Sequence, residues 1–294
     1  MQVPQTIKRM KNLFFITILL HFSSSIVHAQ LEAKTVYAFN TFEGTRVVVG
    51  HSVEMLKEGE MEFLISHKFG RINGGAYELF GLDQAIIRLG LDYAIKDWVT
   101  IGIGRSSLDK QLDAFTKFRI FRQKKGAENF LISLTALATA SAIMVKNADP
   151  SKPIHFQNRL AYTFQVLAAR QFGNRFSLQL VPTLTHYNLV ESKLFKNDVI
   201  SIGGAAKFQL TKVLSLKGEY YYTLPDQLDP LKTNSLAIGL DIDTGSHVFQ
   251  LHFSNSGGLV EPAFIGNTTG NWLDGDIHFG FTMSRVFKIK GRRY

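Results

Sequence analysis

His252-Phe253-Ser254-Asn255, with Glu261 a short stretch downstream, brings a general base, a nucleophile and an orienting carboxylate close together in sequence. Residues two apart on a strand share a face. His252 could therefore take the Ser254 proton while Glu261 holds the imidazole, as nucleophilic attack on an ester requires. The neighbours argue for a plainer role. Phe249, Leu251 and Phe253 form the apolar side of this segment, which sets Gln250, His252 and Ser254 on the opposite, polar side. The expectation is no catalysis, with His252 and Ser254 forming a polar rim where the strand leaves an apolar layer.

A second set of residues is defined by charge. Glu60, Glu62 and Lys68, then Arg88 and Asp92, then Lys117 and Arg119, and later Lys207, Lys217, Glu219 and Asp241 all fall opposite an apolar stripe. If that stripe faces hydrocarbon, these groups face a lumen, because Arg or Lys on the lipid side costs about 2–4 kcal/mol near the bilayer midplane. Two roles are open to them. They can form a salt-bridged, hydrated filling that holds strands in register, or the selectivity lining of a narrow solute path.

Other chemistries find little support. His51 lies beside Ser52, and His278 falls on the strand neighbouring that of His252, but neither has the carboxylate or third imidazole that a metal site needs at defined spacing. Gly102, Gly104, Gly203, Gly204 and Gly280 lie within strand patterns rather than between a strand and a helix, so none forms a phosphate loop. With no cysteine, disulfides, thiolate metal sites and lipoprotein attachment are ruled out. No cofactor is expected.

The elements that would position these side chains are strands. Ile200, Ile202, Gly204, Ala206, Phe208 and Leu210 alternate with Ser201, Gly203, Ala205, Lys207 and Gln209, and the same period of two recurs along the chain. Twelve such segments can be counted, from 60–69 to 276–287, the fifth spanning 129–141. Every second connection is tight: Ile95-Lys96-Asp97, Gln123 to Glu128, Gly173-Asn174, Thr211-Lys212 and Asp243-Thr244-Gly245. The intervening ones are mostly long, the last running from about Asn255 to Gly275. This parity is that of a transmembrane antiparallel up-and-down β-barrel, with short periplasmic turns and longer outer loops. A soluble β-sandwich has strands of about five to six residues, whereas these run to about ten, the length that crosses a bilayer at a tilt.

Prolines and aromatics agree with that plan. Pro150, Pro153, Pro225, Pro230 and Pro262 fall in the proposed outer loops; Pro182 lies within a strand and predicts a bulge or an early end to pairing. Tyr93, Trp98, Phe121, Phe130, Phe172, Phe176, Phe208 and Phe287 cluster at the tight-turn ends and predict one interfacial belt.

The first residues read as an export signal. Lys8, Arg9 and Lys11 precede an apolar stretch from Leu13 to Leu20, which continues to a small-residue exit at Val27-His28-Ala29. The stretch is shorter than the roughly 18–20 residues that span a bilayer as a helix. Residues 1–29 are therefore expected to be removed, and with them three of the 33 basic residues and no acids, leaving 30 against 24. A net charge of +6 scattered along the chain does not point to nucleic acid. A mean hydropathy near zero suits a barrel that alternates lipid-facing and water-facing residues. Residues 30–59 form one segment before the first strand, which extends the sheet, plugs the lumen or lies in the periplasm, and residues 60–294 form the barrel.

Phe42-Glu43-Gly44-Thr45-Arg46, Gly50-His51-Ser52-Val53-Glu54, residues 62–73 (EFLISHKFGRIN), 77–93 (YELFGLDQAIIRLGLDY) and 101–107 (IGIGRSS) together resemble an uncharacterised family of Gram-negative outer-membrane β-barrel proteins. The resemblance implies an outer-membrane barrel and supplies no catalytic residues. The His252-to-Asn255 stretch is also similar to the His-x-Ser-Asn of outer-membrane lipid deacylases, although those enzymes present their catalytic pair to lipid. The functional expectation is a narrow channel or a binding scaffold, in contact with outer-membrane lipid and with a small solute or protein partner at its outer loops. A lipid hydrolase, or a structural or adhesion barrel motivated by the long last loop, are the alternatives.

Overall fold

The computed structural model describes residues 34–147, 151, 154–190, 195–245 and 247–289. The export signal expected at 1–29 lies outside the described residues. Twelve antiparallel strands form a closed barrel. They are β1 (Glu60–Arg71), β2 (Ala85–Lys96), β3 (Val99–Ser106), β4 (Leu112–Phe121), β5 (Ser133–Ala142) and β6 (Leu160–Phe172). The second half comprises β7 (Phe176–Tyr187), β8 (Asp198–Gln209), β9 (Leu214–Thr223), β10 (Ser235–Asp243), β11 (His247–Ser254) and β12 (His278–Lys288). Closure is made by β12 on β1, from Lys288 opposite Glu60 to His278 opposite Arg71. The first and last strands thus share the end that carries the short turns.

The side-chain distribution is the reverse of that in a soluble protein. Ile200, Ile202, Leu216, Leu251 and Phe253 are each 44–45% exposed, whereas Ser201, Thr163, Thr185 and Ser215 are fully buried. Period-two alternation places one set against hydrocarbon and the other against the lumen. Aromatics gather at the short-turn end: Trp98 lies 6.5 Å from Phe118, Phe121 stacks on Phe130 at 5.1 Å, and Phe172 sits 5.9 Å from Phe176.

Two local expectations are corrected. The connection after β4 is not a tight turn at Gln123 to Glu128, since β5 begins only at Ser133. Lys124–Lys125 instead pairs with Val36–Tyr37, and Lys124 bridges Phe130. The apolar run Phe130-Leu131-Ile132 is exposed at the short-turn end and lies outside the barrel ladder. Pro182 makes no bulge: it stays in register with Ile202 of β8, and on the β6 side pairing lapses between Gln165↔Thr183 and Ala168↔Leu180 without a shift. Lacking an N–H, the proline drops its bond to one neighbour only.

Two segments fill the lumen. From the short-turn end, residues 40–58 enter as a hairpin in which Val47 N–H bonds Gly50 O (2.8 Å) and Ser52 N–H bonds Thr45 O (3.0 Å). Gly50 sits at its tip, where any Cβ would collide with the Tyr221 hydroxyl. From the opposite end, the connection between β11 and β12 folds inward and carries the short helix α1 (Glu261–Ile265), started by Pro262. Phe42, Val47, Val48 and Val53 of the hairpin join Leu167, Val181, Tyr221, Phe264 and Ile265 in one apolar cluster.

Because Leu251 is outward-facing near the middle of β11, Leu251→Arg should destabilise the barrel by about 2–4 kcal/mol. Urea unfolding in lipid vesicles measures this; an unchanged midpoint would show that this face does not meet hydrocarbon.

Candidate functional site

The candidate site is the lumen, and its chemistry is set where the strand wall meets the hairpin. Nine of the eleven charged residues picked out by alternation are buried: Glu62, Lys68, Arg88, Asp92, Lys117, Lys207, Lys217, Glu219 and Asp241. The other two lie at the short-turn rim, where Glu60 accepts the Lys57 N–H (2.9 Å) and Arg119 donates to Asp97 O (3.0 Å). The buried nine turn mostly towards the inserted segments and not towards an open passage.

The hairpin tip is held by Glu219. The N–H groups of Val48, Val49 and Gly50 converge on its carboxylate at 2.7–3.2 Å, a curl of backbone donors around one anion. Lower down, Glu43 accepts from Lys207 (3.1 Å) and faces Lys217 (3.4 Å), which also pairs with Asp241. On the other side Arg46 meets Asp92 (3.2 Å), Thr45 donates to Glu62 (2.6 Å) and Lys117 donates to Glu54 O (2.6 Å). Lys68 belongs to the other closure: its ammonium donates to Ser256 O and Gly258 O, both at 2.8 Å, tying the last connection inward. Arg88 pairs with Asp113 along the wall.

The wall is chemically two-sided. Buried charges come from β1, β2, β4 and β8–β10, whereas the contiguous β5, β6 and β7 contribute none among the described residues. Their inward groups are hydroxyls and amides, including Thr135, Thr163, Gln165, Gln179, Thr183 and Thr185. Gln179 clasps the returning arm of the hairpin, accepting from Val53 N and donating to His51 O, each at 2.8 Å. A search for charge alone passes over this face. Glu43 and Arg46 escape strand alternation because they lie before the first barrel strand, although both belong to the Phe42-to-Arg46 string that carries the family resemblance.

Electrostatics of the inserted segments follow from their surroundings. Burial alone would raise the Glu43 carboxyl, but Lys217 and Lys207 beside it outweigh that and hold it below its ordinary value. His51 faces Glu261 at 3.5 Å and packs edge-on against Phe115 at 4.6 Å. Burial, reinforced by Arg46, Lys117 and Arg88, pushes His51 well down and keeps it neutral, so this is not an ion pair.

The residues considered for catalysis do not assemble. His252 lies over Gly280, where a Cβ would overlap its ring, and neither ring nitrogen has a hydrogen-bond partner. The Ser254 hydroxyl accepts the Ser256 N–H (3.1 Å), while Glu261 stands beside His51. Among the described residues no group of three His, Cys, Asp or Glu could hold a metal.

A vestibule remains on each side of the closure. The one at the loop end has a volume of about 550 Å³ and is floored by Gly257, Gly258 and Pro262 of the inward connection. The one at the short-turn end has about 800 Å³ and reaches the hairpin root at Asn40 and Glu43. Between them lie two cavities of about 20 and 10 Å³, both bordered by Arg46 and Thr282.

Since the chain has no cysteine, Ser52→Cys offers a buried reporter of hairpin undocking. Glu219→Gln in that background should weaken docking by about 1.5–3 kcal/mol, the worth of bonds to a charged acceptor, and speed maleimide labelling; an unchanged rate would remove Glu219 as the anchor. For Glu43, a lowered carboxyl stabilises docking fully above the usual carboxylate range and loses that contribution as pH falls through its depressed value. Undocking, read at the acid pH itself with a pyridyl disulfide, which reacts with thiols in acid, should therefore rise only below that range.

Curated protein sequences give no match. Solved structures that resemble the chain include the NanC porin, at 7% identity over 79% of this chain and 100% of that one, TM-score 0.47. The KdgM porin in complex with disordered oligogalacturonate has 8% identity over 78% and 99%, TM-score 0.46. The COG4313 outer membrane channel from Pseudomonas putida F1 has 14% identity over 80% and 97%, TM-score 0.48. The barrel architecture rests on the strand ladder of this chain, not on these likenesses. A model of the membrane bound beta barrel domain (DUF5777) matches residues 42–287, from the hairpin to the last strand, and the chain belongs to that family.

Proposed function

We propose that this protein is a narrow outer-membrane channel whose resting state is closed by the hairpin 40–58, exported by a leader removed near Ala29. The observation that carries the reading is the wall behind the hairpin. It is lined with Ser, Thr, Gln and charged groups that water can solvate once the hairpin leaves. A filling meant to be permanent is better served by apolar contacts, because buried ion pairs contribute little net stability. Twelve strands also lie between eight-stranded barrels, filled by side chains, and the sixteen-stranded porins that hold a water channel.

Two other roles lose their motivation. The long last connection folds inward as a floor, which leaves an adhesion role without its surface. The inward-facing His252 and Ser254 would not meet a lipid ester from the membrane side.

Planar-bilayer recordings test the reading. The full-length protein should be closed for most of the record with rare steps, and the same protein lacking residues 40–58 should conduct persistently. A deletion variant that inserts as a folded barrel and stays silent would end the channel reading.

A further inference from the structure

The vestibule at the short-turn end is built from three neighbouring turns, and each brings a cation to it. Lys125 comes from the connection after β4, Arg175 from the turn after β6 and Lys212 from the turn after β8. None of the three has an ion-pair partner among the described residues, and the one unspent acid on the lining is Asp243, which already accepts the Gly245 N–H (2.7 Å). Three cations without ion-pair partners against one carboxylate leave a net positive potential focused into this concave space.

Lys207 is the link to the hairpin. It lines the same vestibule, yet its ammonium is buried and holds the hairpin root through Asn40 O (2.6 Å) and Glu43 (3.1 Å). Glu43 is thus an internal anion seated at the inner edge of a cationic cup. An external anion drawn in by Lys125, Arg175 and Lys212 would meet Lys207 next and compete with Glu43 for it.

We infer that this vestibule is a binding site for a small organic anion, a carboxylate or phosphate, and that its occupation at Lys207 displaces Glu43 and loosens the hairpin. The size of the cup, about 800 Å³, accommodates a solute larger than an inorganic ion. The binding half stands by itself; the loosening half rests on the reading of the hairpin as a removable closure. By linkage, an anion that binds the undocked form more tightly must shift the population towards it.

The experiment uses full-length Ser52→Cys protein in nanodiscs of neutral lipid, with inorganic phosphate or gluconate compared against sodium chloride at equal ionic strength, so that general screening cancels. Maleimide labelling should be about tenfold faster with either probe, equivalent to about 1.4 kcal/mol of population shift. Changing Lys125, Arg175 and Lys212 together to Gln should abolish the acceleration, and the conservative Arg175→Lys with Lys212→Arg should keep it, which separates loss of charge from loss of fold. Acceleration in anionic-lipid nanodiscs without added probe would assign the same site to a lipid headgroup.

Equal labelling in phosphate, gluconate and chloride, with no probe binding by calorimetry, overturns the inference. If that result accompanies a hairpin-deleted barrel that conducts, the channel reading survives it. Anion-accelerated labelling with a silent deletion variant would instead keep the anion site and remove the channel.

Discussion

A strand ladder that closes on itself inside hydrocarbon must bond every backbone group within the ring and turn its apolar side chains outward. This constraint governs the molecule. Once Lys288 reaches Glu60 and the ring is shut, every strand presents its second face to a confined interior. With a period of two, that face receives what the outer one excludes, including Lys68, Lys117, Lys207 and Lys217, all essentially inaccessible to solvent. A lumen lined in this way cannot be emptied without either water or a polar partner.

The two inserted segments answer that demand in different ways. The last connection is pinned by neutral or singly charged contacts to carbonyls: Lys68 on Ser256 and Gly258, Tyr187 on Pro262 O (2.7 Å), and Asn255 on Asn234 O and Gly270 O. Its helix α1 then adds Phe264 and Ile265 to the apolar cluster. The hairpin adds Phe42, Val47, Val48 and Val53 to the same cluster and is held in addition by charge, through Glu43 and Arg46. Removing one member of such a buried pair leaves the other unpaired at a cost of about 3–5 kcal/mol, whereas withdrawing the whole hairpin allows water to reach both. Both closures pack into the apolar cluster, and the lower one adds a latch of buried ion pairs at Glu43 and Arg46.

Glu219 shows how little sequence is needed to set the depth of insertion. Its carboxylate gathers three consecutive amides only because Gly50 lets the tip turn against Tyr221 without a side chain. A larger residue at that position would hold the tip away from the wall and leave Glu219 buried without its donors, a costly state for a carboxylate.

The strand pattern was legible from residue types because lipid on one side and a polar lumen on the other write a period of two into every strand. The Ser201/Ile202 alternation, the short turns at Gly173 and Thr211, and the belt from Trp98 to Phe287 all follow from that local rule. Where apolarity lost its directional meaning, at the Phe130-Leu131-Ile132 rim, the rule extended β5 too far. The destination of residues 40–58 carried no such signature, since a hairpin inside a barrel is neither amphipathic strand nor helix. Its place was decided by groups distant along the chain, Glu43 meeting Lys207 and Lys217, Arg46 meeting Asp92, and the tip meeting Glu219. The sequence by itself determined which face of each strand is wet; only the closed tertiary structure decided what occupies the wet space, because the partners become neighbours only after the ring has shut around them.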